Sequence, residues 1–197
     1  MEIQAITRYL TAELVEAAYR RGVFPMGDPT LDLITWHRPA ERAIIPLDGF
    51  HCPRSLKKTL RKGVFTVTFD QNFSGVMQGC ADRERTWITP DFHRIYNELH
   101  ARKKAHSVEV WHEGKLAGGL YGVHLGAAFF AESKFHYVTD ASKVALASLV
   151  THLAEKDFKL LEVQYVTNHL SRFGAIGIPH KQYEKELNAA LKLERVF

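Results

Sequence analysis

Three strand patterns in a row, followed by helix, strand and helix, constrain this chain more than any other feature. Residues 106–112 and 116–124 read as strands joined by Glu113-Gly114, a hairpin signal. A third strand follows at 127–135, then a helix at 140–155, a strand at 160–166 and a helix at 180–192. Hairpin-linked strands must pair antiparallel, whereas strands separated by a helix can pair parallel. The order predicts an α+β body, a mixed and largely antiparallel sheet flanked by helices.

The front half is punctuated by local signals. Thr11 reads as an N-cap ahead of Leu14, Val15 and Ala18, and Arg20-Arg21 precede the stop at Gly22. Pro25, Gly27 and Pro29 make 23–29 read as a loop. Short strands follow at 32–36 and 42–46, a helix from Arg54 to Lys62 closed by Gly63, a strand at 65–69 and a helix near 72–80. Thr89-Pro90-Asp91 starts a helix whose one face carries Phe92, Ile95, Tyr96 and Leu99. We expect a small N-terminal subdomain over 1–40 and the main body over 41–197. That order suits the fold shared by acetyl-CoA-dependent N-acetyltransferases (GNAT-like).

The sequence excludes several classes. Its 197 residues are 46% hydrophobic with twelve Phe, enough apolar mass to order a core. Cys52 and Cys80 make no disulfide framework. No run of about 18 apolar residues exists, so no membrane span is expected. The first residues lack the apolar stretch of a signal peptide. The reading is a cytoplasmic chain, expected to be a monomer. Eleven histidines match no zinc spacing, so no metal is expected. Neither a phosphate-binding loop nor a dinucleotide fingerprint occurs, so no cofactor is expected.

Three clusters carry chemistry. Arg54, Lys57, Lys58, Arg61 and Lys62 recur at i, i+3, i+4, i+7 and i+8, one face of a helix with no acid among them. A polyanion relieves their repulsion; the alternative is a solvated lysine-rich face. The net charge of +4 is compatible with nucleic acid but does not establish it. In Leu160–Val166, strand alternation puts Glu162 and Gln164 on one face and Leu161, Val163 and Tyr165 on the other. Such a pair is either a proton acceptor with a positioning amide, or the wet face of an edge strand. Glu132 lies among Phe129, Phe130 and Phe135, where an acid needs a partner unless it points outward; glycines in 118–126 suggest bulges or close approach.

Taken with RRGVFPM (20–26), PRSLKKTLRKG (53–63), TWIT (86–89), YNELH (96–100), AHSVEVW (105–111), GGLYGVHLG (118–126), AESKF (131–135), ASKVAL (141–146) and the EVQ and HL of 162–170, the chain resembles the bacterial leucyl/phenylalanyl-tRNA–protein transferases over nearly its whole length. The resemblance implies transfer of Leu or Phe, less well Met, from aminoacyl-tRNA to proteins beginning with Arg or Lys, which marks them for degradation through the bacterial N-end rule. It implies Gln164 and Glu162 as the proton-transfer pair. Tyr19, Trp87, Tyr96, Glu132, Ser133, Leu149 and Leu153 would bind the terminal adenosine and aminoacyl group. Arg54, Lys57, Lys58, Arg61 and Lys62 would hold the tRNA acceptor stem. The chain departs from the family's usual pattern at Glu162, commonly Asp; Met26, commonly Trp; and Ala131 and Lys134, commonly Gly and Met.

An aminoacyl ester is already activated, so neither ATP nor CoA is needed. The acceptor α-amine has a pKa of roughly 7.7–8.0, so the work is alignment and proton acceptance. Rival readings are an acetyl-CoA N-acetyltransferase, although no glycine pair precedes the helix at ASKVAL; a transferase with another amino acid or acceptor; and a non-catalytic RNA-binding module, which leaves Glu132, Glu162 and Gln164 unexplained.

Overall fold

The computed structural model describes residues 3–197, which form two sheets. Strands β1 (Ile3–Thr7), β2 (Phe24–Asp28) and β3 (Leu33–His37) make a small antiparallel sheet in the order β1-β3-β2. Helix α1 (Ala12–Arg20) starts at Thr11, whose hydroxyl accepts the Leu14 N–H at 3.2 Å. Residues 24–28, expected within a loop, are strand. β2 pairs only with β3, and an edge strand tolerates Pro25 because it has a free side that needs no N–H donor.

The larger sheet runs β10-β4-β9-β8-β7-β6-β5. Its strands are β4 (Glu41–Ile44), β5 (Thr66–Phe69), β6 (Ala105–His112), β7 (Lys115–Leu125), β8 (Ala128–His136), β9 (Leu160–Gln164) and β10 (Ile176–Pro179). Every neighbouring pair is antiparallel except β8 and β9, which the crossover helix α5 (Ala141–Glu155) joins. The mixed, largely antiparallel sheet is therefore as the sequence predicts. The remaining helices are α2 (Arg54–Lys62), α3 (Phe73–Ala81), α4 (Pro90–Ala101), α6 (Asn168–Ser171) and α7 (His180–Ala190). Besides β2, three elements were not expected: β1, α6 and β10. None is longer than five residues, and β10 carries Gly177 and Pro179.

Side chains alternate across the large sheet. Tyr121, Val123, Phe130 and Leu160 enter one core with Val15 and Tyr19 of α1, Val76 of α3, Tyr96 of α4 and Tyr183 of α7. Leu120, Phe129, Leu161 and Val163 enter the other with Leu56 of α2 and the apolar face of α5. Each large side chain fully buried there contributes roughly 1.5–3 kcal/mol. Phe24, Ile34 and Trp36 of the small sheet belong to the first core, so the N-terminal segment shares its interior with the body.

Two irregularities shape the sheet's centre. β8 and β9 pair only over Ala128–Phe130 with Leu160–Glu162; β8 continues to His136 while β9 stops at Gln164, so the strands part beyond that point. On the other side of β8, Tyr121 faces Ser133 and Gly122 faces Ala131, which leaves Glu132 as the extra residue of a bulge. Gly122 is required there, because a Cβ would collide with the Phe130 carbonyl and the Phe129 ring.

Candidate active site

A cavity of about 120 Å³ lies between the parted ends of β8 and β9, on the α5 face of the sheet. Leu120, Ala131, Leu146, Val163 and Leu170 supply apolar lining; Glu132, Ser133, Lys134 and Gln164 complete it. An apolar cavity of about 150 Å³ admits a benzene-sized guest; this one is smaller but open to solvent, so it can take the branched or aromatic end of an amino-acid side chain that stays partly outside.

Gln164 reaches the cavity because its backbone is left-handed, with φ of 65°. Strict alternation would leave it on the Glu162 side of the sheet and send Tyr165 to the α5 side. The structure does the reverse: Gln164 lines the cavity beside Val163, and Tyr165 packs edge-on against Phe24 at 5.9 Å in the other core. The left-handed turn costs about 1–3 kcal/mol for a non-glycine residue. A 2.6 Å hydrogen bond from the Gln164 N–H to Glu162 Oε1 offsets it. The Gln164 side chain donates its Nε2 to Glu132 Oε2 at 3.3 Å.

Glu162 does not reach the cavity. It is 0% exposed and ion-paired with Arg42, itself 0% exposed, at 2.9 Å. Arg42 also donates to the Gly22 carbonyl at 2.5 Å and to the Tyr183 hydroxyl at 3.4 Å, with its guanidinium 4.5 Å from the Tyr183 ring centre and 5.1 Å from that of Phe24. Burial opposes the charge on Arg42, and the Glu162 carboxylate with Tyr183 and Tyr19 together more than offsets it, so the pKa rises. Burial pushes the Glu162 carboxyl up, while Arg42 and the Gln164 amide pull it back. Arg42 was missed in the sequence. Its signal was a charge in a short apolar strand, matching the acid in β9.

Glu132 is 8% exposed. Burial pushes its carboxyl up to about 8, with Glu162 adding to the rise and the Tyr19 hydroxyl, Arg42 and Gln164 opposing it. Its Oε1 has no hydrogen-bond partner among the described residues. The Ser133 hydroxyl accepts from Arg83 at 3.1 Å. Lys134 lines the cavity, and burial lowers its ammonium to about 8.

Other expected site residues lie elsewhere. Tyr19 and Tyr96 are buried with their hydroxyls 3.1 Å apart, in the core that excludes the cavity. Trp87 is half-buried edge-on to Phe92 at 5.2 Å and does not line the cavity. Leu149 and Leu153 are fully buried inside α5 packing; Leu146, three residues before Leu149 on the same helix, meets the cavity instead. Helical periodicity identifies the apolar face but not which turn of it borders an opening.

Arg54, Lys57, Lys58, Arg61 and Lys62 are all exposed on α2. Leu56 anchors the helix, whereas Leu60, the other expected anchor, is 41% exposed. Thr59 donates to Asp140 at 2.9 Å, and Asp140 pairs with Lys143 at 2.6 Å, so α2 is tied to the start of α5. The basic helix and the cavity thus share one face of the sheet. His169 of α6 has its pKa lowered by burial and by Lys134, Lys143, Arg172 and His136.

The sequence model described as leucyl/phenylalanyl-tRNA protein transferase matches residues 44–188, and the N-terminal domain model of that description matches residues 9–40. A leucyl/phenylalanyl-tRNA–protein transferase from Salinibacter ruber is 53% identical over 182 residues, 92% of this chain and 80% of that protein. One from Rubrobacter xylanophilus is 48% identical over 189 residues, 95% of this chain and 98% of that protein. Among solved structures, an aminoglycoside acetyltransferase from an uncultured soil sample is 12% identical, with a TM-score of 0.44, over 55% of this chain and 83% of that one. The extent and identity of the sequence matches place this chain in the leucyl/phenylalanyl-tRNA–protein transferase family.

Proposed function

We propose that this protein moves a leucyl or phenylalanyl group from its tRNA to the α-amine of a protein beginning with Arg or Lys. The observation that carries this reading is the open apolar cavity, able to take the end of one such side chain, whose lining includes the Gln164 amide and the Glu132 carboxyl. The exposed cations of α2 lie on the same sheet face, where they can hold the phosphates of an acceptor stem while the esterified residue enters the cavity.

The chemistry follows from these positions. The apolar walls bind the aminoacyl side chain and exclude water from the ester. Gln164 has its Nε2 engaged by Glu132, so its carbonyl oxygen is the atom left to accept a hydrogen bond from the incoming amine and aim the nitrogen at the ester carbon. Glu162 acts as a positioning residue. Its carboxylate fixes the left-handed turn from behind the strand, and Arg42 keeps it charged in a buried setting.

Against an acetyl-CoA enzyme stands the start of α5, where a pyrophosphate would dock. The N-cap residue there is Asp140, an acid whose carboxylate bonds Thr59 and Lys143, and no glycine pair precedes it. Incubation with individually labelled aminoacyl-tRNAs and a peptide starting with Arg or Lys tests the proposal. Label reaching the peptide from leucyl- or phenylalanyl-tRNA is expected. Transfer only from other charged tRNAs, or acetylation with acetyl-CoA, refutes it.

A further inference from the structure

Two acids flank Gln164, and they differ in what they are free to do. Glu162 lies behind the strand: Arg42 and the Gln164 N–H share its Oε1, its Oε2 is buried without a partner among the described residues, and it does not line the cavity. Glu132 stands on the bulge of β8 and lines the cavity. One oxygen accepts from Gln164; the other, Oε1, is buried and makes no hydrogen bond of normal geometry, although the Tyr19 hydroxyl lies near enough to the carboxyl to lower its pKa. A buried carboxyl oxygen without a partner is costly and calls for an explanation.

The groups around it do not neutralise it. Tyr19 comes from α1, Tyr96 from α4 and Tyr121 from β7, all three buried phenols. Burial pushes all three hydroxyls well above their ordinary pKa, so they stay uncharged. From β9 come Gln164 and Glu162, from β4 Arg42, which is already paired, and from β8 itself Lys134, which makes no ion pair with Glu132.

We propose that Glu132 shuttles the proton of the transfer step. This assignment rests on the aminoacyl-transfer reading. As the acceptor nitrogen bonds to the ester carbonyl carbon, the Glu132 carboxylate takes the proton that nitrogen must lose. As the carbon–oxygen bond to the ribose breaks, the carboxylic acid so formed returns a proton to the departing oxygen. One C–N bond forms, one C–O bond breaks, and Glu132 ends in its starting state. Gln164, bonded to the same carboxyl, holds the nitrogen beside it.

Burial favours this role. A carboxyl near its ordinary value of 4.5 is a weak base toward an ammonium, whereas one pushed up to about 8 matches an α-amine at roughly 7.7–8.0. With the two so matched, the proton moves in either direction at little cost.

The test compares single-turnover transfer from preloaded aminoacyl-tRNA to an excess of a peptide beginning with Arg. Glu132→Gln keeps the shape and the contact with Gln164 but cannot accept a proton. At pH 9, where the wild-type carboxyl is ionised, its rate is expected to fall about 100-fold or more, the gap narrowing toward pH 6 as wild-type Glu132 takes up its proton, with the dissociation constant for tRNA unchanged within about twofold. Glu132→Ala is expected to regain rate with added formate, in proportion to the formate ion present. A residue that only positions substrate gives neither result. A folded Glu132→Gln within about fivefold of wild type at pH 9, or a Glu132→Ala that formate does not stimulate, overturns the proposal. Wild-type protein that transfers from no aminoacyl-tRNA overturns the underlying reading instead.

Discussion

Replacing Arg42 by Met leaves Glu162 buried and charged without its counter-ion. The guanidinium sits 2.9 Å from the Glu162 carboxylate, both residues are sealed from solvent, and it also serves Gly22, Tyr183 and the Phe24 ring. Breaking one side of a buried pair costs about 3–5 kcal/mol, mostly the penalty of the stranded charge. For a domain near 200 residues, where about 1 kcal/mol moves Tm by roughly 2–4 °C, this predicts a fall of about 6–20 °C. Removing both charges in Arg42→Met/Glu162→Gln takes away the stranded charge and is expected to recover at least half the loss. Arg42→Lys keeps the charge but not the planar fork that reaches several acceptors, and is expected to fall between. Urea melts of the three variants measure the free energies. A single variant within about 1 kcal/mol of wild type, or a double variant no better than the single, refutes the coupling.

Gln164→Ala is expected to slow peptide-bond formation in single-turnover assays while leaving tRNA binding nearly intact; an unchanged rate ends its assignment as the aligning amide. If all five α2 cations contact phosphates, tRNA affinity falls with salt at a log–log slope of about −3.5 to −4.5, and Lys57→Ala/Lys58→Ala makes it shallower by about 1.4–1.8; an unaltered slope means these side chains do not touch the RNA. Glu132 stays protonated in the folded chain up to about 8 but ionises near 4.5 once unfolded. Between those values the native state holds the extra proton, so stability falls as pH rises. The advantage of Glu132→Gln over wild type is therefore expected to grow from near zero at pH 4 to on the order of 4 kcal/mol at pH 8. Denaturant melts at pH 5, 6.5 and 8 that show a constant gap would argue against burial as the source.

What the sequence made legible was local. Gly63 closes α2 in the left-handed conformation, Glu113-Gly114 turns β6 into β7, and Pro90 opens α4. Each signal acts within a few residues of the structure it sets. The basic face of α2 was visible for the same reason. What stayed hidden depends on distant partners. The role of Arg42 depends on β4 pairing with β9, which brings Ile44 opposite Glu162 across more than a hundred residues. Tyr165 changes face because Gln164 leaves the extended conformation, and period-two alternation has no means of announcing that. Leu146 replaces Leu149 at the cavity because the opening between β8 and β9, not the helix pattern, selects the turn that meets it.

The left-handed residue at the end of β9 explains how one acid–amide pair comes to work from two sides of a sheet. An extended Gln164 would share the Glu162 face, inside the core with Tyr183 and Phe24, away from the cavity. Turning the backbone sends the amide through to the α5 face while Glu162 stays behind to accept the N–H of that turn. The acid two residues upstream therefore fixes the geometry and is shielded from the substrate by the strand itself. The bulge on β8 does the complementary thing, bringing Glu132 to the same opening from the other strand. Arg42 ties this arrangement to the Gly22 carbonyl at the end of α1 and to α7, so a disturbance in the N-terminal segment reaches Gln164 through two buried contacts. A substitution near Gly22 that shifts the carbonyl should then lower the transfer rate although it lies outside the cavity.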